Sequence, residues 1–109
     1  MYTYHVYFTP KETITDLEVF EIIKRFGDHE VRENLMMDYA LTKFEDKASF
    51  PELSDFYFIA NYRCKVDQDK AMGSMKNEYG KEPHLSLMKM VKEFRVAFSK
   101  SLESEKNSQ

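Results

Sequence analysis

The chain has little of several residue types, and each shortage excludes a class of protein. Its 109 residues contain one cysteine, three glycines and no tryptophan. The single cysteine, Cys64, cannot form an internal disulfide, and three scattered glycines do not make a glycine-rich phosphate loop. No apolar run approaches the length of a membrane-spanning helix. The sequence therefore predicts no disulfide scaffold, no nucleotide site built on such a loop and no membrane partner.

A basic stretch is also lacking. Sixteen Lys and Arg stand against nineteen Asp and Glu, which gives a formal net charge of -3. Proteins that bind nucleic acid usually carry a basic stripe that neutralises phosphates, so we expect no nucleic-acid partner. Residues 1–5 lack the basic segment and apolar run that begin a signal peptide. We therefore expect a protein of the reducing cytoplasm.

Aromatic residues are abundant. Nine Phe and seven Tyr can bury a large area per residue, which suits the core of a small domain. The length fits one domain, predicted over residues 1–100. Residues 101–109 contain one apolar side chain, Leu102, and are predicted to be a frayed tail.

Hydrophobic patterning predicts alternating strands and helices. Four segments are rich in aromatic and β-branched residues and are predicted strands: 2–8, 35–44, 56–62 and 94–98. Thr15 and Glu18 form a capping box at the start of a first helix that ends near Gly27, whereas residues 28–33 either extend this helix or form a second short one. A second helix is predicted over residues 67–79, whereas residues 83–91 are ambiguous and are interpreted as a short helical turn.

This order predicts an α+β fold of the ferredoxin-like βαββαβ type. Its four-stranded antiparallel sheet carries both helices on one face, and the third strand lies between the first two. Side chains alternate between the two faces of a strand. The set predicted to lie under the helices is almost wholly apolar: Tyr4, Val6, Phe8, Leu35, Met37, Tyr39, Leu41, Phe56, Phe58, Ala60, Phe94, Val96 and Phe98.

The other face of the sheet mixes apolar bulk with particular polar groups. Tyr7, Met36, Tyr57 and Ile59 would together form an exposed apolar patch, and such patches mark interaction surfaces. A second copy related by a two-fold axis is the commonest way to cover one. We therefore expect a homodimer in which two sheets face each other.

With these elements and faces, the chain resembles the dimeric α/β-barrel superfamily, in which two ferredoxin-like protomers press their sheets together. Residues 2–8 and 94–98 are also similar to those of small uncharacterised members known from marine environmental sequences. The group includes quinol-forming monooxygenases, lactone isomerases, haem-handling enzymes and ligand-sensing domains. The resemblance implies the fold and the dimer. It implies much less about the reaction, because the group shares no catalytic motif.

A first candidate site lies on the predicted dimer face. As an enzyme of the resembled group, the protein would use His5 as proton carrier, Asp38 to orient it and Arg95 or Arg63 to hold an anion. Tyr39 or Tyr57 would contact the substrate, and Tyr7 and Asn61 complete the set. The alternative is a polar network that fixes the register of the dimer, since buried charges need partners.

A second candidate site is the cleft between the helices and the sheet. Tyr4, Tyr39 and Tyr62, with His84 at the mouth, could hold an aromatic or quinone-like molecule by stacking and one hydroxyl contact. The alternative is that these tyrosines are ordinary edge-of-core residues and that His84 faces solvent.

Metal and cofactor sites are not indicated by residue spacing. The three histidines, His5, His29 and His84, show no metal-binding spacing, and no base is evident near Cys64. The methionines at 72, 75, 88 and 90 are predicted core fillers rather than ligands. We therefore expect no metal and no cofactor.

Two functions remain open at this point. The first is a dimeric protein that binds a small organic molecule. The second is a cofactor-free monooxygenase or isomerase acting on an aromatic or lactone-like substrate, as the resemblance implies. The connection 45–55 is long for a hairpin, and its role, a lid or otherwise, is open as well.

Overall fold

The computed structural model describes residues 1–102. These residues form four strands and three helices, in the order β1, α1, β2, β3, α2, α3, β4. Their bounds are Tyr2–Pro10 (β1), Asp16–Glu33 (α1), Asp38–Lys43 (β2), Phe56–Tyr62 (β3), Lys65–Lys76 (α2), His84–Met90 (α3) and Val91–Lys100 (β4).

The sheet has the predicted ferredoxin-like topology. Its strand order is β2-β3-β1-β4, and every neighbouring pair is antiparallel. Strand β3 therefore lies between β1 and β2, which confirms the α+β fold. In this register Tyr7 lies between Tyr57 and Arg95, and His5 lies between Ile59 and Ala97.

Helix α1 begins at the predicted capping box. The Thr15 side chain accepts a hydrogen bond from the Glu18 amide, and the Glu18 side chain accepts one from the Thr15 amide. The helix does not end near Gly27 but continues to Glu33, so of the two alternatives for residues 28–33 the extension of this helix is confirmed. Its buried residues recur at helical spacing and face the sheet: Val19, Ile23, Phe26, Gly27 and Glu30.

Strand β2 starts three residues later than predicted. After α1 the chain turns through Leu35, which has a φ of 67°, in the left-handed region. This turn sends Met36 into the core and leaves Leu35 and Met37 exposed. The predicted alternation over 35–37 is therefore wrong, and Met36 is not part of the open face.

Methionines fill the space under α2 and α3. Met75 and Met90 are buried in the core cluster, and Met72 packs against it. Met88 lies at the edge of a cavity and is more exposed. The prediction of core-filling methionines is confirmed for Met72, Met75 and Met90.

The helices leave β4 uncovered. The prediction that Phe94, Val96 and Phe98 lie under helices is wrong, because their exposed fractions are 51%, 44% and 54%. The helices pack over β2 and β3, so β4 projects beyond them as an edge strand. From Lys92 to Lys100 both faces of β4 are open in the protomer.

Within residues 1–102, no helix is both long enough and apolar enough to cross a membrane. Ser101 and Leu102 follow β4 without regular structure. The rest of the predicted tail, 103–109, lies outside the described residues.

Candidate functional site

A wide groove lies on the open face of the sheet and is named here the sheet groove. Its volume is about 550 Å³, within the range of small-molecule sites. The strands supply one wall and the connection between β2 and β3 supplies the other. The lining residues are Tyr7, Phe44, Phe50, Glu52, Leu53, Ser54, Tyr57 and Arg95.

Strand register builds the floor of the sheet groove. Because Tyr7 pairs with Tyr57 on one side and Arg95 on the other, the three side chains stand in a row across β3, β1 and β4. The rings of Tyr7 and Tyr57 are stacked, with centroids 4.8 Å apart. Phe44 continues the stack, 6.2 Å from Tyr57. The floor is therefore aromatic, with a cation at one end.

The connection between β2 and β3 forms the second wall. Its base is tied by hydrogen bonds from the Phe44 amide to the Asp55 carbonyl (2.9 Å) and from the Asp55 amide to Thr9 Oγ1 (3.1 Å). Lys47 Nζ donates to Asp55 Oδ1 at 2.8 Å. Phe50, at the tip, is exposed beside the groove. The long connection is thus an ordered wall of the groove.

His5 is held by two hydroxyl groups. Its Nδ1 lies 2.6 Å from the Tyr57 hydroxyl, and its Nε2 lies 2.7 Å from Ser99 Oγ. The Asp38 carboxylate instead accepts a hydrogen bond from Asn61 Nδ2 at 2.7 Å. Tyr57 and Ser99, rather than Asp38, therefore orient His5.

Asp38 and Asn61 belong to a separate polar row. Thr3 Oγ1 donates to Asn61 Oδ1 at 2.7 Å, so the row runs across β1, β3 and β2. This arrangement resembles the predicted register-fixing network. Along β1 this polar row is at Thr3, two residues from His5 and four from Tyr7, so it lies outside the sheet groove.

Arg63 and Tyr39 lie away from the sheet groove. Arg63 follows the end of β3, is exposed, and forms an ion pair of 3.1 Å with Asp67 of α2. Tyr39 lies on the helix side of the sheet, where its hydroxyl donates to Asp28 Oδ1 at 2.6 Å. Burial, followed by this hydrogen bond, raises the pKa of Tyr39 to about 12. Neither Arg63 nor Tyr39 lines the sheet groove with Arg95.

The predicted cleft between helices and sheet is a narrow cavity of about 70 Å³. Tyr4 and His84 line it, together with the rings of Phe26 and Phe94. His84 is not at a solvent-exposed mouth, because it is only 1% exposed. Burial, followed by electrostatic interaction with Tyr79 and Glu30, raises the pKa of Tyr4 to about 12.

Four ionisable side chains meet around His84, which lines this cavity, and are named here the His–Glu cluster. They are His29 and Glu30 of α1, Glu78 of the turn after α2, and His84 of α3. Glu30 and His84 are almost completely buried, and burial raises the pKa of Glu30 and lowers that of His84. Burial also raises the pKa of Tyr62, and the charge of Glu30 adds to that effect.

The sequence prediction missed this cluster because spacing along the chain does not reveal it. His29 and Glu30 precede Glu78 and His84 by some fifty residues, and the two pairs meet only through packing of α1 on α3. One signal was present in the sequence. Glu30 shares the buried stripe of α1 with Ile23 and Phe26, and a carboxylate on an apolar stripe needs a partner.

Comparisons with known proteins find relatives by structure only. No protein-family model matches the chain, and no curated protein matches it. A structure of a protein from Arabidopsis thaliana has a TM-score of 0.71 at 10% identity and covers 96% of this chain and 99% of its own. A dimeric ferredoxin-like protein of unknown function from Thermobifida fusca gives 0.60 at 13% identity, covering 90% and 88%.

A further structure is described as a putative antibiotic biosynthesis monooxygenase from Nitrosomonas europaea. Its TM-score is 0.62 at 16% identity, and the match covers 94% of this chain and all of the other. At such identities the likeness establishes the fold. The chain therefore has the ferredoxin-like fold of proteins that are described as dimeric or as monooxygenases of this kind.

Proposed function

We propose that the protein is a homodimer that binds a small organic molecule in the sheet groove. The observation that carries this proposal is the groove itself, about 550 Å³ in volume, with an aromatic floor and Arg95 at one end. A net charge of -3 favours a small molecule over nucleic acid as the partner.

Strand β4 supports the dimer. Ten residues long, it is an edge strand with both faces open along most of its length. Exposed edge strands with apolar side chains pair readily with another chain, and natural proteins cover them. A second copy packed sheet to sheet would cover the open face of β4, where Arg95, Ala97 and Ser99 lie, and would close the open side of the groove. The described dimer of the Thermobifida fusca protein has the same protomer fold.

The lining suggests the chemistry of the ligand. Stacked rings of Tyr7 and Tyr57 favour a flat aromatic or conjugated molecule. The Arg95 guanidinium can bind a carboxylate through two parallel hydrogen bonds. Glu52 on the opposite wall would disfavour a second negative charge. We therefore infer an aromatic monocarboxylate or a similar enolate-like monoanion.

A second candidate function is that of a cofactor-free monooxygenase or isomerase. The observation that favours it is the 2.6 Å contact between His5 Nδ1 and the Tyr57 hydroxyl, because the Tyr57 ring lines the groove. His5 could exchange a proton with a bound molecule through that hydroxyl. In this version Arg95 would hold the anion, and Asp38 would have no direct part.

Binding of benzoate and 4-hydroxybenzoate, measured by isothermal titration calorimetry with benzamide as neutral counterpart, tests the proposal. We expect the carboxylates to bind more tightly than the amide. Arg95→Gln should weaken carboxylate binding by roughly 10- to 100-fold, the range expected for one charged hydrogen-bonding partner. Arg63→Gln is the matched control, because Arg63 pairs with Asp67 outside the groove.

Equal affinity for the acids and the amide, or equal losses in the two arginine variants, would contradict the proposal.

The enzyme version is tested separately by oxygen uptake with hydroquinone-like substrates. Turnover that His5→Asn abolishes without weakening ligand binding would favour the enzyme.

Two broader expectations complete the proposal. The similarity of residues 2–8 and 94–98 suggests that its kin include small proteins known from marine environmental sequences. The single free Cys64 suggests work in the reducing cytoplasm.

A further inference from the structure

We propose that the His–Glu cluster is a binding site for one divalent transition-metal ion of the Zn²⁺, Co²⁺ or Fe²⁺ kind. The cluster lies on the helix side of the sheet, whereas the sheet groove lies on the open side. The inference therefore stands independently of the proposed function.

The first argument is the spacing of the donor atoms. His29 Nε2 lies 3.3 Å from Glu78 Oε2 and 3.8 Å from Glu30 Oε2. His84 Nε2 lies 3.6 Å from Glu30 Oε2, and His84 Nδ1 lies 3.5 Å from Glu78 Oε2; one ion can take only one of these two nitrogens. With one donor atom from each of the four residues, all the donor atoms lie within 4.8 Å of one another. Charged hydrogen bonds between such atoms are shorter, about 2.7–2.9 Å. Ligands held tetrahedrally at about 2.0–2.1 Å from a metal lie roughly 3.3 Å apart.

The second argument is that buried polar atoms in the cluster lack hydrogen-bond partners. Over the described part of the chain, these atoms are Glu30 Oε1 and both ring nitrogens of His84. Both side chains are at least 99% buried. Buried polar atoms in folded proteins are almost always paired, and each exception needs an explanation. A cation between these side chains supplies a partner for His84 and neutralises Glu30.

The third argument is charge. Among residues 1–102, the carboxylates of Glu30 and Glu78 form ion pairs only with His29 and His84. Two carboxylates that meet here, one fully buried and one at the rim, bring negative charge that a divalent cation would balance.

The fourth argument is that the carboxylates have an outer layer of donors. Asn34 Nδ2 donates to Glu30 Oε2 at 2.7 Å. Ser74 Oγ lies 3.0 Å from Asn34 Oδ1 and 3.2 Å from Glu78 Oε1, so it links the two acidic residues. Metal-binding carboxylates are commonly oriented in this way by hydrogen-bonding neighbours.

The donor set selects the class of metal. Two imidazoles and two carboxylates suit Zn²⁺, Co²⁺ or Fe²⁺ better than Ca²⁺ or Mg²⁺, which prefer oxygen ligands alone. Four protein ligands make a closed site of the structural type. Because the ligands come from α1, α3 and the turn after α2, the ion would join these three segments.

Titration of the chelator-treated full-length chain with Co²⁺ tests the site. We expect one Co²⁺ per chain, with the intense visible absorption of tetrahedral Co²⁺, and its displacement by Zn²⁺. Excess Zn²⁺ should raise the Tm by on the order of 10 °C when its concentration is about 100 times the Kd.

His29→Asn and Glu78→Gln are the decisive variants, because these side chains lie at the rim, 22% and 26% exposed, and their loss leaves the core intact. Each should weaken Co²⁺ binding by roughly 100-fold, since loss of even an outer-layer partner costs about 10- to 100-fold. Far-UV circular dichroism checks that both variants are folded.

His5→Asn and Glu12→Gln are the matched controls, because they remove the same groups at positions outside the cluster. They should bind Co²⁺ as the wild type does. The inference is overturned if the folded wild type binds no Co²⁺, or if both rim variants keep the wild-type affinity.

Discussion

The ring of Tyr39 lies directly against Gly27, where α1 crosses β2. A β carbon at Gly27 would come within 2.5 Å of Tyr39 Cε1 and Cζ, closer than non-bonded atoms approach. The ring cannot shift freely, because its hydroxyl donates a hydrogen bond to Asp28 and its face stacks on Phe58, with ring centroids 5.8 Å apart. Gly27 is therefore present for close packing, within a helix that continues past it.

Gly27→Ala is expected to destabilise the protein. Alanine favours helix by roughly 1 kcal/mol over glycine. The displaced Tyr39 ring should outweigh this gain, since overpacking costs about 1–3 kcal/mol and the Asp28 hydrogen bond is lost as well. Urea denaturation monitored by circular dichroism measures the net change.

A double-mutant cycle checks the cause. With Tyr39→Ala as background, the added methyl group meets no ring, so Gly27→Ala should become neutral or stabilising. An equal loss of stability in both backgrounds would show that packing against Tyr39 is not the reason for the glycine.

The Tyr39–Asp28 hydrogen bond should make stability depend on pH at both extremes. The bond from Tyr39, with the nearby Lys24, holds the pKa of Asp28 below its ordinary value of 3.8. Its contribution is therefore present above that pH and is lost as the pH falls further. The pKa of Tyr39 is raised from 10.0 to about 12, so its contribution is complete below pH 10 and is lost between pH 10 and 12.

Tyr39→Phe removes both effects. The other tyrosines are present in the wild type and in the variant, so their titration cancels in the comparison. The difference in unfolding free energy between wild type and variant should be largest from about pH 5 to 9 and should shrink towards both extremes. Urea midpoints measured across this range give the curve. A difference that stays constant with pH would contradict the assignment.

Element order and facing pattern could be predicted from the sequence because they depend on local chemistry. The capping box at Thr15 and the alternating burial of β3 are set by neighbours a few residues away, and the structure confirms them. The predicted end of α1 at Gly27 was wrong for the opposite reason. The need for glycine there comes from Tyr39, which lies on another element.

Site residues were harder to predict, since their partners are set by the register. His5 shares a face with Asp38, yet Asp38 pairs through β3 with the row of Thr3, two residues from His5 along β1. Tyr57 and Ser99 hold the His5 ring instead. The burial of His84 beside Glu30 depends on how α3 packs against α1, which no pattern within either helix encodes.

Tyr57 should contribute to binding through its ring and to proton transfer through its hydroxyl. Tyr57→Phe keeps the stack with Tyr7 and should change aromatic ligand affinity by less than about 3-fold, whereas Tyr57→Ala should weaken it by roughly 10-fold. Calorimetry with 4-hydroxybenzoate measures both. Affinity lost equally in the two variants would mean that the hydroxyl, and not the ring, holds the ligand.

The dimer should depend on the centre of the open sheet face. Ala97 of β4 lies beside His5 on this face and is exposed in the protomer. Ala97→Glu would place a charge in the sheet-to-sheet interface of each copy, and an unpaired buried charge there should dissociate the dimer. Sedimentation velocity should find the mass of two chains for the wild type and of one for the variant.

Thr13→Glu adds the same charge on an exposed loop and should remain dimeric. A wild-type protein that sediments as a monomer would refute the sheet-to-sheet arrangement, and a dimer that survives Ala97→Glu would place the interface elsewhere.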